Sequence, residues 1–301
     1  MQYDEAVAAF FPARPAGTAV PEAVTGGSPA RRLRDAAEPL ATHPVWARRV
    51  NAAQAALGLD FLSGYVWGRA ASLGEPTAAA AAAAFAWFEP SLVGGVLAAG
   101  RAAVGREDLL SVRDRETAAS VAEVLAGEDV GATADLLLRA AHALPTAGRP
   151  LYAGLRERPV PGSGAGRLQR ACELLREARG DGHAAVATAA GRGALEVTVL
   201  TERWLGMEPG SYTATRGWSP DALADAVQGL QERGELTDGA LTERGRAARA
   251  ALEAATDATM DPAVQALGGQ FDDVVERLQA WGERCVAAGA FPRDVLKRAA
   301  G

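Results

Sequence analysis

Apolar positions recur along most of this chain three and four residues apart, the spacing that gathers them on one side of a helix. In 115–125, for example, Ala118, Val121, Val124 and Leu125 form one stripe. The pattern predicts helices over 3–11, 31–38 (stopped by Pro39), 45–57 (stopped by Gly58), 61–71 and 77–88. Asp60 and Thr77 precede the last two as N-caps, because their side-chain oxygens can accept from the free N–H groups of a first turn. Further helices are predicted over 91–102, 106–112, 115–125 and 129–142.

The stretch 149–166, "RPLYAGLRERPVPGSGAG", breaks the pattern and reads as a connection. Beyond it the order changes: helices over 167–179, 182–190 and 194–205, a loop, and a helix from Ser219-Pro220 to Arg233. Serine suits the N-cap there and proline the first helical position. Two short strands, 235–237 and 240–242, flank Asp238-Gly239, a tight hairpin signal. A helix follows from Thr242 to about Thr256, and one or two more fill 263–300. The expected fold is mainly α, an N-terminal helical domain packed on a winged helix-turn-helix domain with a short β-hairpin and C-terminal helices. Its divisions are 1–29 (a segment and a poorly ordered, proline-rich linker), 30–148 (helical domain), 149–166 (connection), 167–257 (winged-helix domain) and 258–301 (C-terminal helices).

Composition sharpens this. With 49% hydrophobic and only 6% aromatic residues the chain reads as globular and helical. A net charge of −6 speaks against a general nucleic-acid binder or a basic membrane-surface protein. Cys172 and Cys285 have no CxxC spacing and read as reduced core residues. The N-terminus lacks a basic region followed by an apolar core, and the apolar run 78–88 is too short to span a bilayer. A cytoplasmic location is expected, with no membrane partner. The apolar stripe of 274–288 suggests a homodimer.

Helix, helix, helix, hairpin, helix is the order of a winged helix. "SPDALADAVQGLQERGELTDGALTERGRAAR" (219–249) resembles the recognition-helix and wing region of MarR-type regulators. A closer resemblance covers most of the chain. "GYVWGRAASLG" (64–74), "FAWFEPSLV" (85–93), "LLREARGDGH" (174–183), "RGWSPDALADAV" (216–227) and "EAATD" (253–257) are similar to an uncharacterised actinobacterial helix-turn-helix family. That resemblance implies a fold and no mechanism. "EPLATHPVWARR" departs from the family's pattern of a histidine soon after Glu-Pro-Leu and then an aromatic pair, so no role is carried to His43.

DNA is disfavoured as a partner. The candidate recognition helix offers Asp221, Asp225, Glu232 and Glu235 against Arg233 alone, and the chain's only lysine is Lys297. Phosphate binding needs cations that displace counterions. Arg244, Arg246 and Arg249 could form a basic patch in a dimer.

Two stretches carry candidate chemistry. Gly180-Asp181-Gly182-His183 reads as a turn with Asp181 as N-cap and His183 in a first helical turn, where the helix dipole disfavours a charged imidazole. His183 and Asp181 are therefore the candidate catalytic residues. In Gly64–Arg69 the glycines share one face, and Tyr65 and Arg69 another. Arg69 lies in an apolar helix and calls for a carboxylate, from Glu38 or Glu89, or an anionic ligand. Arg69, Tyr65, Trp67 and Glu38 are the candidate ligand-binding residues, facing His183 across an interdomain cleft. Trp46, Trp67, Trp87 and Phe88 read first as core and second as pocket wall. No metal or cofactor is expected, since the histidines are scattered and no nucleotide motif is present. Two functions follow. One is a small-molecule-binding protein on a winged-helix scaffold that has lost DNA binding, with a biosynthetic enzyme of unspecified reaction as its form. The alternative is a ligand-responsive MarR-like transcriptional regulator.

Overall fold

The computed structural model describes residues 1–10 and 27–300, and its regular structure is helical apart from one hairpin. In chain order the helices are α1 (Tyr3–Phe10), α2 (Pro29–Ala41), α3 (His43–Trp46), α4 (Arg48–Ala56), α5 (Phe61–Ala70), α6 (Ala78–Phe85), α7 (Pro90–Ala103), α8 (Arg106–Val124), α9 (Gly131–His142), α10 (Pro150–Arg156), α11 (Gly164–Ala189), α12 (Ala194–Trp204), α13 (Pro220–Glu232), α14 (Glu243–Ala258), α15 (Asp261–Leu267), α16 (Phe271–Ala287) and α17 (Val295–Ala300). Strands β1 (Leu236–Thr237) and β2 (Ala240–Leu241) pair antiparallel between α13 and α14. Most of the expected linker, 12–26, lies outside the described residues.

The cap signals act as read. Asp60, Thr77 and Ser219 each accept a backbone N–H in the first turn of the helix they precede. Asp238 and Gly239 both adopt positive φ, 50° and 76°, the conformation a two-residue hairpin turn requires. The hairpin closes a small core of Leu195, Val199, Leu200, Leu230, Leu236 and Leu241. No helix among the described residues is long and apolar enough to cross a membrane.

Several boundaries differ from expectation. α2 continues through Pro39 to Ala41, and the proline ring packs against Gly282 of α16, where a Cβ would come within 3.1 Å of it. The stretch 106–124 is one helix, and the connection 149–166 contains α10. Most consequentially, Gly180-Asp181-Gly182 forms no turn: α11 runs unbroken for 26 residues. Gly182 serves packing, because a Cβ there would lie 2.6 Å from the hydroxyl oxygen of Thr259, just after α14. Two glycines cost helix propensity, about 1 kcal/mol each, and burial of α11 on nearly all sides offsets it. Leu168, Ala171, Cys172, Leu174, Leu175 and Ala178 join the main core with α2, α9, α15 and α16. The polar residues of the same helix, among them Glu173, Glu177, Arg179 and Asp181, are also buried and must find partners on its neighbours.

Candidate functional site

Those partners surround a cavity of about 110 Å³ beside the middle of α11, between α2, α5 and α12. Five arginines line it, Arg34, Arg69, Arg176, Arg179 and Arg216, against two carboxylates, Glu38 and Glu177. Tyr65 reports the resulting field. Burial alone would raise its phenol, yet Arg69, Arg176 and Arg216 together hold it below its ordinary value.

Four of the arginines are committed. Arg69 gives Nε and Nη2 to the two oxygens of Glu177, at 2.9 and 2.7 Å, and Nη1 to the Tyr65 hydroxyl. Arg176 bridges Glu38 and Glu177. Arg179 binds Glu253 and Asp257, and Arg34 binds Asp35 and the Arg298 carbonyl. Arg216 is different. It donates to the Tyr212 hydroxyl and stacks on the rings of Phe88 and Tyr212, 4.6 and 4.4 Å from their centroids. No carboxylate pairs with it among the described residues; its buried Nε, like that of Arg179, has no acceptor.

The loop carrying Arg216 is built by a carboxylate from α12. Glu202, fully buried, accepts from the backbone N–H groups of Gly210, Tyr212 and Thr213. Gly217 then leaves the loop with φ 82°, and a Cβ there would meet Leu92 at 2.5 Å. Glu89 N–H donates to the Arg216 carbonyl and the Trp218 indole to the Trp87 carbonyl, so this loop is clasped to Trp87-Phe88-Glu89.

His183 lines the same cavity with its ring 4.9 Å from that of Trp87. Its Nδ1 lies 2.7 Å from the Thr256 hydroxyl oxygen, which is itself 2.7 Å from the Leu252 carbonyl. The hydroxyl has one proton and the carbonyl can only accept, so Thr256 donates to Leu252 and accepts from His183 Nδ1–H. Nε2 is then the ring's acceptor. The imidazole stays neutral: burial, reinforced by Arg249 and Arg179, lowers its pKa from 6.5 to about 3. This replaces the expected cause, a helix N-terminus, because residue 183 is deep inside α11.

The structure thus brings Tyr65, Arg69, Glu38 and His183 to one cavity. Arg69 takes Glu177 as its partner; Glu38 turns to Arg176, and Glu89 caps α7 through Leu92 N–H. Asp181 points elsewhere. It neither caps its own helix nor orients His183, and instead accepts the Tyr152 N–H at the start of α10, with burial raising its pKa to about 7. Trp67, two residues from Tyr65 and so on another face of α5, packs in the α5–α8 core and donates to the Val104 carbonyl. His43 is buried against Ser120, away from the cavity. Arg176, Glu177, Arg216 and Tyr212 were missed. The hint for Arg216 was its place just before Gly217-Trp218 in a loop without periodicity.

At the candidate DNA-reading surface, Asp221, Asp225 and Glu232 of α13 are exposed, as expected. Glu235 is not: it is 2% exposed and held by Arg192 and Arg233. Arg249 is also buried, bound to Glu253 and stacked on Trp204, which leaves only Arg244 and Arg246 of the supposed basic patch at the surface.

Among known protein families, a model described as a helix-turn-helix family matches residues 30–292. No curated protein and no solved structure matches. The match spans most of the chain, which belongs to that helix-turn-helix family.

Proposed function

We propose that this member of the helix-turn-helix family binds a small anionic molecule in the arginine-lined cavity and has given up reading DNA. The observation that carries this is Arg216, a cation whose buried Nε lacks an acceptor, in a cavity where arginines outnumber carboxylates. A guanidinium left without its counter-charge in such a place is costly unless an anion joins it. The ligand's anionic group lies against Arg216, and Nε2 of His183 accepts from an N–H or O–H of the same molecule. That nitrogen, unprotonated at neutral pH and fixed by Thr256, is a hydrogen-bond acceptor and too weakly basic to serve as a general base.

The test is a titration of the purified chain with sodium sulfate, followed by thermal shift and calorimetry. The wild type should bind, and Arg216→Gln should lose roughly tenfold or more in affinity, the value of one charged hydrogen bond. Its unliganded melting temperature should not fall. Equal sulfate affinity in the two proteins would contradict the assignment.

A second reading, a ligand-responsive regulator, is favoured by the exposure of α13 together with Arg244 and Arg246. Fluorescence anisotropy against mixed genomic duplex at low salt separates the two. The carboxylates of α13 predict no salt-sensitive complex at micromolar protein. A submicromolar, salt-sensitive complex would show that the scaffold still reads DNA.

A further inference from the structure

The cationic cavity does not end at Arg216. Glu38, Tyr65, Phe88, Arg176, Tyr212 and Arg216 also wall a second lobe of about 120 Å³. Its farther walls are mainly apolar, Phe10, Trp46, Phe61, Leu62, Met207 and Phe291, with Thr42, Thr215 and Arg298 among them. Trp46 packs against Phe10 and Phe61 with ring centroids 5.4 Å apart in each pair, which leaves a continuous aromatic lining.

We infer that the ligand is an amphipathic carboxylic acid, its carboxylate at Arg216 in the cationic lobe and its aromatic or alkyl body in the aromatic lobe. This rests on the proposed anion site and adds the other half of the molecule. A small inorganic anion would leave the aromatic lobe filled with water. A ligand carrying both groups removes that apolar surface from water while it supplies the missing counter-charge. The Arg216 Cζ lies over the rings of Phe88 and Tyr212, and its planar fork of donors suits a planar carboxylate.

Calorimetry on the full chain with four probes tests this: acetate, phenylpropionate, phenylpropanol and sulfate. Phenylpropionate should bind about 100-fold tighter than acetate, as burial of a further phenyl and one methylene group implies. Phenylpropanol, which keeps the body and lacks the charge, should bind about tenfold weaker than the acid. Ser211→Trp places an indole at the mouth of the aromatic lobe from an exposed position. It should abolish the advantage of phenylpropionate over acetate and leave sulfate binding intact. Leu62→Trp, which fills the lobe from α5, should do the same. If acetate and sulfate bind as tightly as phenylpropionate, the aromatic lobe takes no part and this inference falls, with the anion site standing. If phenylpropanol matches phenylpropionate, the anion site falls too. Failure of all four probes at millimolar concentration would overturn both.

Discussion

Replacing Glu253 by glutamine is expected to destabilise the protein by about 3–5 kcal/mol, the range for breaking a buried charge cluster by removing one partner. This one carboxylate accepts from Arg31 of α2 at 2.9 Å, Arg179 of α11 at 2.5 Å and Arg249 of α14 at 2.8 Å. The three guanidinia outweigh the effect of burial and hold its carboxyl far below the usual carboxylate range. Glutamine keeps the shape and removes the charge, leaving Arg249 without a carboxylate, Arg31 with Asp35 alone and Arg179 with Asp257 alone. The melting temperature should fall by roughly 10 °C. Glu123→Gln is the control: that carboxylate is 64% exposed beside a half-exposed Arg49, and such a pair contributes little. A Glu253→Gln protein that melts with the wild type would remove the clasp from the account. Because Arg179 lines the cavity and is held by this carboxylate, the variant should weaken anion binding as well.

Stability is expected to fall as pH is lowered from about 6.5 to 4. All three histidines are lowered from 6.5: His142 by burial and Arg156, and, by deeper burial, His43 to about 4 and His183 to about 3. The unfolded chain takes up these protons first, so these contributions are complete above pH 6.5 and are lost as pH falls towards the folded values. Asp181 acts in the opposite direction. Its pKa rises from 3.8 to about 7, so the folded state keeps a proton the unfolded chain has released, and its contribution shrinks as pH rises between those values. The histidines outnumber Asp181 and leave a net loss on the order of 1 kcal/mol per pH unit on acidification. Urea unfolding at pH 7, 6 and 5 reads the slope directly. Asp181→Asn should steepen it and His183→Gln should flatten it, whatever each does to stability at neutral pH. A wild-type stability constant from pH 7 to 5 would contradict the buried, neutral state of His43 and His183.

Where punctuation and periodicity agree, the chain was readable. Ser219-Pro220, Gly234 and Asp238-Gly239 marked α13 and the hairpin, because each residue type fits a backbone position that others resist. Gly180 and Gly182 misled, since glycine serves a turn and a close approach equally well. Only the arrival of Thr259, far along the chain, makes α11 continuous at Gly182. Tyr65 and Arg69 came to the cavity together because a four-residue spacing fixes their shared face. The identity of Arg69's partner was not readable: Glu177 lies 108 positions away. Arg216 was out of reach for a similar reason. Its loop is shaped by Glu202, a residue that looks like any exposed helix carboxylate until the fold buries it.

The five stretches that carried the resemblance meet in space. Tyr65 and Arg69, Trp87 and Phe88, five residues between Arg176 and His183 (Arg176, Glu177, Arg179, Gly180 and His183), and Arg216 all line the cavity. Glu253, Thr256 and Asp257 hold Arg179 and His183 from behind. The exposed face of α13, in contrast, is acidic. The distribution of chemistry in this helix-turn-helix protein therefore favours an interior ligand over a groove in DNA.

The most direct measurement is the side-chain Nε–Hε spectrum of the ¹⁵N-arginine-labelled protein, with the Arg216 signal identified by its loss in Arg216→Gln. Titration with phenylpropionate should move that signal as its missing acceptor arrives, while the Arg69 signal, already bonded to Glu177, stays nearly fixed. An Arg216 signal that does not move at ligand saturation would contradict the account.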